Sequence, residues 1–356
     1  MVSVQEYYQH PSVSQSELKL IGLNPKLYQQ IKEPDLYFEE KKHFVIGSAV
    51  DCLLTRGARA FNEEYHVSDL ENKPSDTVKS IINQVFDIVK ESLFSSNDSI
   101  GTIQDYPGVI LDCCNTHDYY NNLKDNTRIA KVCESWEYWE DLKKALGKTV
   151  LSVEESAVIY NTVMSLQTNE VTGSYLKETL GESRWYQLPL YFEYNGINCK
   201  ALLDLVIVNE RNKTMQPVDI KTIGDSCLNF PKSLRQRRYD IQAAFYTAGL
   251  QVVYPEYEIL PFKFIVESTT EPGNPLVFTC NNRLLHIGKY GRPELILEGN
   301  NTLEGFHDYS VVSEIKGFEQ LLELFSYYKE NGFDTDRLIK ENKSELTIDW
   351  SGIITE

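Results

Sequence analysis

Two apolar runs joined by a short polar turn, each run carrying an acid, constrain this chain most. Residues 202–208 (LLDLVIV) read as a buried strand, residues 214–221 (TMQPVDIK) as a second, and 209–213 (NERNK) between them is polar and turn-prone. Asp204 stands inside the first run and Asp219 inside the second. A carboxylate in so apolar a run is buried, and an unpaired buried charge is costly, so a metal or another cation is expected beside it. If the turn centres on Arg211 and Asn212, Asp204 faces Asp219; a slip of one residue puts it opposite Lys221. Cross-strand neighbours sit roughly 4.5–5.5 Å apart, so either register brings Asp204, Asp219 and Lys221 together. Alternation puts Asp219 and Lys221 on one face and Ile220 on the other, leaving the Ile220 carbonyl available as a hard oxygen ligand.

The segment after this hairpin adds to the pattern. A helix is predicted around 233–250, where Tyr239, Gln242 and Tyr246 share a face at spacings of three and seven. Ala243 and Ala244 allow a close approach to the sheet. Lys232, Arg235, Arg237 and Arg238 fall within seven residues just before that face. The whole chain carries a net charge of −17, which argues against a general polyanion binder because non-specific DNA affinity comes from phosphate neutralisation. A local basic cluster beside the acids is a different matter, and phosphate contact is its expected role.

The rest of the sequence bounds the possibilities. A chain of 356 residues suffices for one elaborated α/β domain or two modest ones. No apolar run reaches the ~18 residues a membrane span needs, and the opening residues do not resemble a secretory signal. Seven scattered cysteines make no disulfide framework, which fits a reducing compartment, expected to be the cytoplasm of a bacterial host cell. The six histidines show no zinc spacing, and no GxxxxGK[ST] motor motif is present. Helices are predicted at SELKLIGLN, capped by Ser14 or Ser16, at SAVDCLLT opened by Gly47, over 77–94, within 115–146 and over 153–180. Trp136, Tyr138 and Trp139 are expected in the core rather than stacked on bases. Strands follow at about 184–194, 198–209, 213–222 and 261–269, and GFEQLLELFSYYKENGF forms a final amphipathic helix. The adjacent acids Glu39-Glu40 and Glu154-Glu155 carry no catalytic weight.

CKALLD, VDIKT and YDIQAAFY, preceded by SVSQSELKLIGLNPKLY and by GSAVDCLL with Phe61 and Tyr65, resemble the PD-(D/E)XK nuclease superfamily. The likeness is to its phage-recombination exonuclease branch, the exonuclease VIII (RecE) type related to lambda-type exonucleases. It covers roughly residues 10–66 and 175–270. The resemblance implies an α/β (α+β) nuclease core with a mixed central sheet flanked by helices and a helical N-terminal elaboration. The chain then reads as a single elaborated domain, with a helical insertion over 67–174 and a strand and helix extension over 271–356.

The resemblance further implies a Mg²⁺-dependent exonuclease, with Mn²⁺ able to substitute, that resects linear double-stranded DNA ends 5′→3′ in phage or prophage recombination. Asp204, Asp219 and the Ile220 carbonyl would hold the metal with Asp51, and Gln187 is a further, neutral candidate ligand. Lys221 would act on the attacking water or on developing charge, and Gln242 and Tyr246 would support it. Lys232, Arg235, Arg237, Arg238 and Tyr239 would meet DNA. Family members form rings and work beside a single-strand annealing protein. The chain departs from the family pattern at Asp51, where histidine is usual, and before the first catalytic strand, where glutamate is usual and Gln187 stands, with Glu182 and Glu193 nearby. No iron–sulfur cluster is expected, because only Cys280 lies beyond Cys227. The rival readings are a nuclease-fold module that binds DNA ends or a partner without cutting, and a RecB-type repair or defence nuclease.

Overall fold

A computed structural model describes residues 4–32, 42–93, 99–297, 309–333, 347–348 and 354–355. Two compact units are distinguished: Met1–Thr55 with Asn161–Glu356, and Arg56–Tyr160.

The first unit is built on a mixed sheet. Strands β1 (Ser183–Tyr194), β2 (Ile197–Asn209), β3 (Thr214–Ile223), β4 (Lys263–Ser268) and β5 (Leu276–Thr279) lie in that order, and the two-residue strand Glu258–Ile259 also pairs with β3. All neighbours are antiparallel except β3 with β4 and with Glu258–Ile259. A parallel pair needs a crossover, and the one from β3 to β4 carries helices α5 (Phe230–Gln236) and α6 (Tyr239–Val253). The sheet flanked by helices agrees with the fold class read from the sequence.

Helix α6 supplies much of the core. Its Ile241, Ala243, Phe245 and Leu250 pack with Leu190, Phe192, Ala201 and Leu203 of the β1–β2 hairpin. Ala244 turns elsewhere than foreseen: it faces helix α7 (Asn282–Tyr290), where a Cβ on Gly288 would lie 3.0 Å from Ala244 and 2.0 Å from the Asp240 carbonyl. Only glycine permits that helix crossing. The final helix α8 (Phe318–Asn331) adds Phe318, Leu321 and Leu322 to the same core.

The β2–β3 hairpin ends where chemistry can begin. Its ladder runs from Asn209–Thr214 to Leu205–Val218 and stops there. One step further along the same register lie Asp204 and Asp219, so the turn centres on Arg211 and Asn212. The first half of β2 continues without β3, and the N-terminal segment takes up its free edge. Val13 forms a parallel bridge to Cys199, accepting from the Lys200 amide at 2.9 Å and donating to the Asn198 carbonyl at 3.0 Å. Lys200, 3% exposed, points its ammonium at the carbonyls of Tyr7 (3.0 Å), Tyr8 (3.2 Å) and His10 (2.7 Å). These tie helix α1 (Val4–Gln9) to the sheet. Helix α2 (Gln15–Leu23) follows with a capping box on Ser14, whose amide donates to Glu17 at 2.7 Å.

Several element limits differ from expectation. Helix α3 (Lys42–Thr55) starts before Gly47. The helix foreseen at 153–180 is two, Val153–Thr168 and Glu170–Leu176, because the Asn169 side chain caps the second. The helix foreseen at 233–250 is likewise two. Arg238 between them is left-handed, with φ of 51°, and is fixed by Asp240 at 3.0 and 2.9 Å and by the Lys316 carbonyl at 2.8 Å. The Glu39-Glu40 pair lies outside the described residues.

The second unit is helical. Asp76–Leu93, Pro107–Thr116, Asp125–Cys133 and Trp136–Lys144 enclose Ile81, Ile82, Val85, Ile110, Val132 and Trp139. Trp139 is fully buried and donates to the Gly101 carbonyl, Tyr138 donates to Asn83, and Trp136 is exposed. A parallel strand pair, Tyr65–Ser68 with Thr149–Ser152, completes it.

Candidate functional site

The wedge between β2 and β3 collects the acids. The Asp204 carboxylate occupies the place of the next ladder bond, accepting from the Ile220 amide at 2.9 Å. A strand residue's N–H and C=O point to the same neighbour, so the Ile220 carbonyl also faces this gap. Asp219 is 1% exposed. Its Oδ1 accepts from Gln242 at 2.6 Å, and its Oδ2 lies 2.6 Å from the Lys221 ammonium. That second contact is a short ion pair, and the same ammonium also answers to Asp204. The Lys221 ammonium also lies over the Tyr239 ring, 4.9 Å from its centroid.

Electrostatics show how crowded the wedge is. Burial, then Asp219, then Asp51 push the Asp204 carboxyl well above its usual range, against the pull of Lys221 and the Ile220 amide. Burial alone would push Lys221 down, but Asp219 and Asp204 outweigh it and hold the ammonium protonated. Asp204 and Asp219 share the Lys221 ammonium while Asp51 adds its charge at Asp204, which leaves the cluster short of positive charge. Mg²⁺ is held by one or two carboxylates plus waters rather than by a full protein cage. Asp204, Asp219 Oδ2 and the Ile220 carbonyl fit that donor set. No group of three His, Cys, Asp or Glu side chains among the described residues forms a ready-made metal cage.

Asp51 and Gln187 meet each other. On α3, the Asp51 carboxylate accepts from the Gln187 amide at 3.2 Å on one oxygen and 3.0 Å on the other. Only the NH₂ face of an amide can serve two carboxylate oxygens, so Gln187 does not turn its oxygen to this acid. Gln187 sits in mid-strand with φ of 49°. The β1–β2 register is the same on both sides, Tyr186–Leu205 and Leu188–Leu203, but the pair opposite Asp204 is missing. A non-glycine residue in that conformation carries strain, which accumulates where a site demands it.

The remaining site residues divide. Gln242 reaches Asp219, and Tyr239 reaches Lys221. Tyr246 is buried and packs 6.3 Å from the Phe262 ring; burial, then the neighbouring Tyr7, Asp219 and Asp204 hold its hydroxyl protonated. Its side-chain partner is Gln15, whose Oε1 is a buried acceptor without a donor. Lys232, Arg235 and Arg237 are exposed. Arg238 is engaged by Asp240 and Lys316, so its role is to set the break between α5 and α6 rather than to present a free cation.

Lys19 is the residue that motif reading passed over. It donates to the Arg237 carbonyl at 3.2 Å and lies 5.9 Å from the Tyr239 ring, so two ammoniums flank one tyrosine. Burial, then Lys221, bring its pKa down to about 8. Its sequence signal is its place in SELK, within the N-terminal stretch that carries the family resemblance, where the resemblance assigns it no role of its own.

No family model matches the chain, and no curated protein does. Ten chains of solved structures match. One is the crystal structure of a putative exonuclease from Eubacterium rectale, 13% identical over 80% of this chain and 80% of that one, with a TM-score of 0.45. A likeness that distant carries no argument about activity, which rests on the wedge itself. Among the described residues no helix is long and apolar enough to cross a membrane.

Proposed function

We propose that this chain is a metal-dependent deoxyribonuclease that degrades linear duplex DNA from its ends. The observation that supports it most is the convergence of two buried acids, Asp204 and Asp219, on the Lys221 ammonium at the point where two strands separate. Asp204, Asp219 and the Ile220 carbonyl would hold Mg²⁺ or Mn²⁺. When bound, such an ion supplies an acidified water and a clamp on phosphoryl oxygens. Gln242 fixes the Asp219 carboxylate. Lys221, held protonated, donates its charge to the phosphoryl oxygens as negative charge develops. Tyr239 buttresses Lys221 through its ring, and Lys232, Arg235 and Arg237 meet the phosphate backbone.

The finer reading is 5′→3′ resection of phage or prophage recombination type, by a ring-forming oligomer beside an annealing protein. Purified protein incubated with linear duplex and with covalently closed circles, in Mg²⁺, Mn²⁺ or EDTA, tests the activity. Degradation confined to linear DNA and to metal-containing samples is the expected result. Degradation in EDTA, or undiminished degradation by Asp219→Ala, would sink it. Strand-specific end labels then give the polarity.

A second reading is favoured by one observation: Asp51 is bonded to a neutral amide in place of an acid. In this reading the chain binds DNA ends without cutting them, and the same samples show retention of linear DNA with no loss of length.

A further inference from the structure

Gln187 is the most deliberately built feature of the wedge that the proposed function leaves unused. Three observations bear on it. Its backbone is left-handed in the middle of a strand. The pairing it would make with the strand segment at Asp204 is the one pair missing from an otherwise unshifted ladder. Its amide nitrogen lies within donating distance of both oxygens of Asp51, at 3.2 and 3.0 Å. A strand that merely ran past the site would need none of these. A glutamine accepts the left-handed region less readily than glycine, so the side chain is what the position retains.

We infer that Gln187 is a positioning residue that holds the Asp51 carboxylate as an amide-bonded anion, so that the wedge takes one divalent cation, at Asp204 and Asp219, and not two. This rests on the metal-dependent reading above. Asp51 then contributes charge through space rather than a bond to the ion. The electrostatics agree in direction, since Asp51 acts on Asp204 through its charge and after burial and Asp219. A carboxylate at position 187 would face Asp51 at the distance the amide now occupies. That pair of anions would need a cation of its own, which is how adjacent carboxylates come to hold a second metal.

The test counts Mn²⁺ on the full chain by electron paramagnetic resonance of the free ion, with no DNA present. One Mn²⁺ per wild-type chain is expected, lost in Asp219→Asn. Asp51→Asn should keep one ion with affinity weakened about tenfold, the size of one through-space charge in a medium of intermediate dielectric. Gln187→Glu, which is isosteric, should bind two. Gln187→Gly, which accepts the backbone without strain and frees Asp51 from the amide, serves if the glutamate variant does not fold. Adding Asp51→Asn to it should weaken the ion by clearly more than the roughly tenfold seen with Asp51→Asn alone. An equal loss, or a single ion on Gln187→Glu, overturns the inference. Two ions on the wild type, or a single wild-type ion abolished by Asp51→Asn, overturn the inference while leaving a metal-dependent nuclease standing. No Mn²⁺ on the wild type removes both.

Discussion

Two buried carboxylates, one in each unit, are treated in opposite ways. In the helical unit Asp141 is saturated: His66 Nε2 lies 2.6 Å from one oxygen and the Ser68 hydroxyl donates to the other at 2.7 Å. In the sheet unit Asp219 has Gln242 on one oxygen and the Lys221 ammonium on the other, and that ammonium is shared with a second acid, Asp204. Buried polar groups are normally satisfied. A saturated acid holds its own unit together, and two buried acids that share one ammonium leave room for a further cation.

The largest effect that separates them is on DNA degradation. Asp219→Asn should lower the rate by about 10³-fold or more, the scale on which preorganised charge acts on a phosphoryl transition state, with the thermal midpoint unchanged or raised. Asp141→Asn should do the reverse. It should cost about 1–3 kcal/mol of stability, measured by urea unfolding, because a donor is turned towards His66 or Ser68. Its activity per folded molecule should match the wild type. Activity lost in Asp141→Asn with stability intact would erase the distinction.

The next effect concerns pH. Asp204 has its folded pKa raised, so below the ordinary carboxylate value near 3.8 both states carry the proton. As pH rises from there towards the raised value, the unfolded chain releases its proton first, and stability falls. Above both values a constant penalty remains. A divalent cation replaces that proton, so Mn²⁺ should raise the melting temperature more at about pH 8 than at about pH 5. Equal shifts at the two pH values would show that the ion binds away from Asp204.

Smaller still is the division within the basic cluster. Reversing Lys232, Arg235 and Arg237 to Glu should flatten the salt dependence of DNA binding by about 0.9 per lost phosphate contact, without unfolding. Arg238→Glu should instead destabilise, because it faces Asp240 across about 3 Å. The smallest effect is local. A ¹³C-methylated Lys19 should titrate near 8, whereas a midpoint near that of free lysine would mean it is solvated.

The wedge was legible where local rules decide it. Binary pattern and turn composition brought Asp204, Asp219 and Lys221 together in either of two registers, and the ladder selects the one with Asp204 opposite Asp219. Helical spacing put Tyr239 and Gln242 on one face, and both reach the acid–lysine pair. What the sequence hid depends on distant partners. The break at Arg238 is fixed in part by the Lys316 carbonyl, 78 residues on. The left-handed Gln187 answers to Asp51, 136 residues back. The close approach behind Ala244 needs Gly288, which periodicity cannot pair with it. The lowered Lys19 depends on Lys221 and on a tyrosine ring that α2 meets only in the folded unit.

Lys200 sets an order in time. The residue is 3% exposed, and the carbonyl acceptors of its ammonium lie 193, 192 and 190 residues earlier in the chain. At ribosomal rates of about 5–20 residues per second, roughly 10–40 s separate the synthesis of those acceptors from the arrival of their cation. Helix α1 can therefore dock only after the β1–β2 hairpin has emerged. Until then Val13, which completes the edge of β2 behind the wedge, has no strand to join. Residues made well before the hairpin are thus placed after it, and the edge of β2 is complete only once the segment around Val13 has joined it.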